Sequence, residues 1–191
     1  MTATLPAGLA FSHAGTYAGD TRSADLPGGL TARVTVEYDH DAGTPWDNED
    51  GHGPVSDWTR REKRAGERVL CDDRGARRYY DFAGAVAAAR ADGWDAPPYG
   101  GTPGQRAARA AEADFARLRA WCRDDWQYVG LVVTVYVEDV ELASASLWGI
   151  EPDSDAGYLN ETIAELLAEA MAEARPQAAR IAATLAAVAE G

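Results

Sequence analysis

Asp39, His40, Asp41, Asp47, Glu49, Asp50 and His52 fall within one stretch punctuated by Gly43, Pro45, Gly51, Gly53 and Pro54. Carboxylates and imidazoles at this density are the donors of a Mg²⁺, Mn²⁺ or Zn²⁺ site, and a metal held there would activate water for hydrolysis. The spacing lacks the D-x-D-x-D-G array and terminal Glu of an EF-hand, and no H-E-x-x-H is present. These residue types are also ordinary turn formers. The loop is therefore read first as turn chemistry and only second as a metal site, with Asp39, His40, Asp41, Glu49, Asp50 and His52 as its weak candidates; no cofactor is expected.

A second pattern carries charge rather than catalysis. Glu161, Glu165, Glu169 and Glu173 stand four residues apart, with no Lys or Arg between Tyr158 and Ala174. On a helix this is one face, at about 6 Å of rise per step. Like charges at this spacing destabilise a helix by roughly 0.2–0.5 kcal/mol per pair, a cost that surface packing does not require. A solvated face is the plain reading of such a run. The functional one is phosphate mimicry, with Glu151, Asp153 and Asp155, and the acidic turn at Glu138, Asp139 and Glu141, extending the surface.

Other chemistry finds little footing. G-x-S-x-G, Walker A and G-x-G-x-x-G sequences are absent. Cys71 and Cys122 are far apart without a Cys-x-x-Cys pair, which indicates neither a disulfide framework nor a thiolate zinc site, and a reduced cytosolic setting is expected. Both are expected to fill core positions. The N-terminus lacks a basic segment followed by an apolar run, so no signal peptide is read, and no stretch approaches membrane-spanning length. Trp121, Trp126, Tyr128, Tyr136 and Trp148 are read as packing residues, with partner anchoring as the alternative.

The formal net charge is −13, from 31 acidic and 18 basic residues among 191. A field of that sign repels phosphate, so direct nucleic-acid binding is not expected, although a protein that binds nucleic acid remains a suitable partner. Residues 1–60 hold 3 basic and 9 acidic residues, 61–130 hold 13 and 11, and 131–191 hold 2 and 11. The basic run from Arg60 to Arg78 is either a small patch or the internal counter-charge for the acidic parts.

The elements that must position these residues follow from periodicity. Leu30–Tyr38 alternates as a half-buried strand, and Tyr128–Glu138 has apolar residues on both faces, as a central strand does. Ser144–Ile150 is expected to return antiparallel to it. Two short strands at 68–71 and 78–80 flank a turn at Asp72–Gly75. Asp81 and Gly93 bracket one helix, and Thr102-Pro103 opens another that runs to about Asp125. Asp153 or Asp155 caps the acidic helix, and Pro176 is expected to separate it from a last Ala-rich helix. The expectation is an α+β fold: an antiparallel or mixed sheet of about four to five strands with helices on one face. Residues 1–29 are expected to be an irregular arm or weak edge strand, and 30–191 a single domain ending in two helices.

The segments PWDNEDGHGPVSDWTRREKR and RRYYDFAGAVAAARADGW, then D-W-Q-Y-V-G-L-V-V and S-L-W-G-I-E ahead of a Y-L helix, resemble a family of tailed-phage accessory proteins. The similarity runs from about Val34 to Glu173. It implies an accessory role in the bacterial host cytoplasm and brings no catalytic residues. The expectation is thus a non-enzymatic, DNA-mimic-type inhibitor of a host defence protein with a basic nucleic-acid-binding surface, of anti-restriction or anti-CRISPR type, with no membrane partner. The alternatives are a metal-dependent hydrolase or nuclease using loop 39–52, and a phage structural or adaptor protein; a homodimer is compatible with each.

Overall fold

Strand β2, Leu30–Tyr38, alternates buried and solvent-facing residues as its sequence predicts, and it organises one half of the chain. It pairs antiparallel with β1, Thr21–Leu26, on one side and with β5, Val129–Val137, on the other. β5 in turn pairs antiparallel with β6, Val140–Ile150, so the four-stranded order is β1-β2-β5-β6 with β5 internal. The computed structural model describes residues 5–13, 15–48, 51–94 and 100–189. The fold is α+β, with an antiparallel four-stranded sheet and a separate two-stranded one.

The chain divides into two compact units, residues 1–42 with 127–191 and residues 43–126. This differs from the single domain expected over 30–191. The reason lies in strand pairing: Tyr38 opposes Val129 in an unbroken register down to Leu30 and Val137. β2 and β5 are therefore sheet neighbours, and everything from 43 to 126 is inserted in the connection between them.

In the sheet unit one long helix, α4 (Ala156–Ala189), packs on β5 and β6. Leu159, Ile163, Leu166, Ala170 and Ala174 are buried against Val34, Val36, Leu131, Val133 and Val135. Asp155 caps the helix, accepting from the N–H groups of Gly157 (2.8 Å) and Tyr158 (3.1 Å). Two expectations are corrected here. Pro176 lies inside α4 and does not divide it, because the apolar stripe continues past the proline to Ala178 and Ile181, which still pack on the core. Of the two readings of residues 1–29 the irregular arm is corrected and the edge strand stands: β1 is the edge strand of the sheet, and Leu9 and Phe11 are buried. Asn160 pins that segment, its Oδ1 accepting from the Phe11 N–H at 2.7 Å and its Nδ2 donating to the Phe11 carbonyl at 3.0 Å.

The inserted unit holds the short helix α1 (Pro45–Asn48), the hairpin β3 (Glu67–Asp73) and β4 (Ala76–Asp81), and helices α2 (Phe82–Asp92) and α3 (Pro103–Trp121). The β3–β4 turn places Arg74 at φ 49 and Gly75 at φ 83, the left-handed pair of a tight hairpin. Asp81 and Gly93 cap α2 as expected, and Thr102 forms a capping box with Gln105 at the start of α3. Leu70, Tyr80, Ala85, Ala111, Phe115 and Leu118 form the core of this unit.

Cys71 on β3 and Cys122 at the end of α3 form a disulfide, with Cα atoms 5.7 Å apart. This corrects the expectation of two unpaired core thiols. A sequence separation of 51 residues carries no information on proximity once β3 and α3 pack together.

Candidate interaction surface and polar sites

Charge follows the division of the chain. The sheet unit holds 4 basic and 16 acidic residues, a balance of −12, whereas the inserted unit holds 14 and 15, a balance of −1. Most of the acidity of the protein thus belongs to the unit that carries α4.

Glu161, Glu165, Glu169 and Glu173 are all solvent-exposed along α4, on the face opposite its buried stripe. None has a hydrogen-bond or ion-pair partner among the described residues. The face is rigid because the other side of the helix is anchored by Leu159, Ile163, Leu166 and Ala170. Residues at the head of the helix serve differently. Asp155 is engaged as its cap, and Glu151 and Asp153 have interactions of their own within the fold. The continuous acidic surface expected over all seven residues is therefore a free row of four beside three with local duties. Glu138 and Asp139 form the β5–β6 turn, with Glu138 at φ 50.

Part of the basic run finds counter-charge nearby. Arg61 makes a two-pronged pair with Glu67, at 2.7 and 2.6 Å. That guanidinium, helped by the Arg64 N–H and opposed by burial, holds the Glu67 carboxyl down at about 2. Arg68 reaches Glu112 at 2.7 Å and depresses its carboxyl; Arg77 reaches Asp72 at 2.8 Å. Several of these arginines also cover aromatic rings: Arg61 covers Tyr79, and Arg78 lies over both Trp46 and Trp58.

The acidic and histidine-bearing loop does not assemble a metal centre. Asp39 Oδ1 accepts from the N–H groups of Asp41 (3.1 Å) and Ala42 (2.9 Å), and its Oδ2 accepts from the Gly149 N–H at 2.9 Å. Its carboxylate is therefore taken up in fixing the chain at the end of β2. Asp39, His40 and Asp41 belong to the sheet unit; Asp47, bonded to the Thr44 hydroxyl at 2.6 Å, and His52 belong to the inserted one. Glu49 and Asp50 lie outside the described residues. Among the described residues no three His, Cys, Asp or Glu side chains converge as metal ligands.

His52 instead meets a residue that the sequence did not single out. Its Nδ1 lies 2.6 Å from Asp114 Oδ1 on α3, while Asp114 Oδ2 accepts from the Gly53 N–H (2.8 Å) and the Tyr80 hydroxyl (2.6 Å). Burial, reinforced by the Asp114 carboxylate, raises the Tyr80 phenol and keeps it protonated. The arrangement orients an imidazole beside a cleft of about 390 Å³ that Trp94 and Arg117 help to line. No spacing rule links His52 to Asp114, because the pair depends on α3 packing beside the loop.

Trp148, expected to be a packing residue, is half-exposed over Gly130 beside a second cleft at the end of β2. Among the described residues no helix is long and apolar enough to cross a membrane. Comparison with protein-family models, with curated proteins and with solved structures gives no match.

Proposed function

We propose that this chain is a non-enzymatic interaction protein whose acidic unit presents surrogate phosphates to a basic, nucleic-acid-binding surface of a host defence protein. The observation carrying this reading is the row of Glu161, Glu165, Glu169 and Glu173: exposed, without a partner among the described residues and fixed on a helix anchored to the sheet, in a unit of balance −12. Rigid carboxylates attract Arg- and Lys-lined channels by the same field that DNA uses, without a cation of their own to displace. An anti-restriction or anti-CRISPR role is the specific form proposed, and the resemblance to tailed-phage accessory proteins is its only support. The bacterial host cytoplasm is the proposed setting. Thiols are kept reduced there, so the reading requires the inserted unit to keep its fold with Cys71 and Cys122 as thiols.

The metal-dependent hydrolase reading gains no support from a loop in which the Asp39 carboxylate and His52 are engaged locally and, among the described residues, no three ligand side chains converge. The test of the mimic is competition: purified protein added to restriction endonucleases and CRISPR effectors, with displacement of bound DNA as the readout. Displacement is expected to fall steeply with added salt and to be lost when Glu161, Glu165, Glu169 and Glu173 are all changed to Gln. A quadruple Gln variant that displaces DNA as well as the parent overturns the proposal.

A further inference from the structure

Trp148 is held in an unusual seat. Its ring lies against Gly130 so closely that any Cβ at that position would collide with it, and its indole N–H donates to Ser146 Oγ at 3.0 Å. Gly130 opposes Glu37 across β2 and β5, so the ring, Gly130 and Glu37 share one row of the sheet. With one face of the ring against the backbone, the 43% of Trp148 that is solvent-exposed belongs to its other face and edge.

That exposed surface borders a cleft of about 490 Å³ at the end of β2, enclosed also by Glu37, Tyr38, Asp39, His40 and Asp41. Among the described residues no Lys or Arg lines it. Asp39 forms a fixed wall, its carboxylate tied to three backbone N–H groups. The side-chain carboxylates of Glu37 and Asp41 are exposed and have no hydrogen-bonded or ionic partner among the described residues. The contrast with other indoles of the chain is informative. Trp46 and Trp58 are covered by Arg78, and Trp126 by Arg117, whereas among the described residues no guanidinium lies over Trp148, as is also the case for Trp94 and Trp121.

We infer that this cleft is a socket for one arginine side chain of a partner protein. A planar guanidinium stacks on a tryptophan face and forks its N–H groups onto carboxylates, which a compact ammonium does less well. Glu37 and Asp41 supply the charge, Trp148 the platform, and Asp39 the fixed geometry. The socket adds to the glutamate row a directional anchor, and only the nature of the partner rests on the function proposed above.

The experiment uses the full chain and two probes, the capped tripeptides Gly-Arg-Gly and Gly-Lys-Gly, followed through tryptophan indole N–H resonances at about physiological ionic strength. The Trp148 resonance is expected to shift with the arginine peptide, which binds at least threefold more tightly than the lysine one. Trp148→Leu and the double variant Glu37→Gln/Asp41→Asn are each expected to weaken binding fivefold or more, while the quadruple Gln variant of α4 stays within twofold of the parent. The double variant changes only exposed side chains, so it reports binding even if Trp148→Leu loosens the sheet. An unmoved Trp148 resonance, equal binding of both peptides, or parental binding by the double variant overturns the socket. Failure of the glutamate row alone would leave arginine binding intact and count only against the mimic.

Discussion

Asp114 on α3 holds His52 at 2.6 Å through one carboxylate oxygen and the Tyr80 hydroxyl at 2.6 Å through the other. Asp114 and His52 side chains are only 8% and 12% exposed, so neither can be replaced by water without rearrangement. Asp114→Asn replaces one of the two acceptor oxygens by an NH₂ donor, so the contacts to His52, the Gly53 N–H and the Tyr80 hydroxyl must rearrange. It is expected to destabilise the inserted unit by about 1–3 kcal/mol in urea unfolding. Ultraviolet titration should also show the Tyr80 phenol moving down towards its ordinary range. The move is partial, because burial is the larger cause of its elevation.

The Cys71–Cys122 bridge closes a loop of 51 residues inside the inserted unit. Chain-entropy arguments give such a closure about 4 kcal/mol of stabilisation. Reduction, or replacement of both cysteines by Ala, is expected to lower the unfolding free energy of that unit towards this extent and leave the sheet unit unchanged. Unfolding curves with and without reductant, read by hydrogen exchange in each unit, check it. Identical curves would show that the bridge does not support the fold.

Glu67 has its carboxyl depressed to about 2 by the Arg61 pair. A carboxylate depressed in the folded state contributes stability that is complete above its unfolded value of about 4.3 and is lost as pH falls through the folded value. The inserted unit should therefore weaken between about pH 4 and pH 2. Glu67→Gln should be less stable than the parent near neutrality and should flatten this part of the profile. A parallel pH profile for parent and variant would exclude the pair as its source.

The glutamate row gives a prediction of opposite sign for stability and binding. Changing Glu165 and Glu169 to Gln removes like-charge repulsion along α4, and the melting temperature of the sheet unit should rise by an amount matching roughly 0.2–0.5 kcal/mol per relieved pair. Displacement of DNA from the partner should fall in the same variant. A variant that loses both would point to a structural role for these carboxylates.

Local chemistry was legible wherever it acts over a few residues. Asp81 and Gly93 bracket α2, Thr102 caps α3, and Leu30, Ala32, Val34 and Val36 line one side of β2, because caps and strand alternation are decided within a turn or a pair of residues. The glutamate row was legible for the same reason: its spacing matches the helix period whatever the helix packs on. Pro176 misled because its local penalty was outweighed by burial on either side of it. The arginine socket could not be read at all, since it needs Trp148 and Glu37 brought together across β5.

The sequence by itself therefore determined the period of β2, β5 and the acidic helix, the caps that start α2 and α3, the acidic balance of the chain and the single face that bears its four glutamates. Tertiary structure decided which distant segments meet: β2 with β5 across the inserted unit, Cys71 with Cys122, His52 with Asp114, and the segment around Phe11 with Asn160. The physical reason is one of range. Backbone geometry and capping are set by neighbours along the chain, whereas strand partners and buried polar contacts are chosen by the burial of apolar surface, which depends on everything the chain packs against.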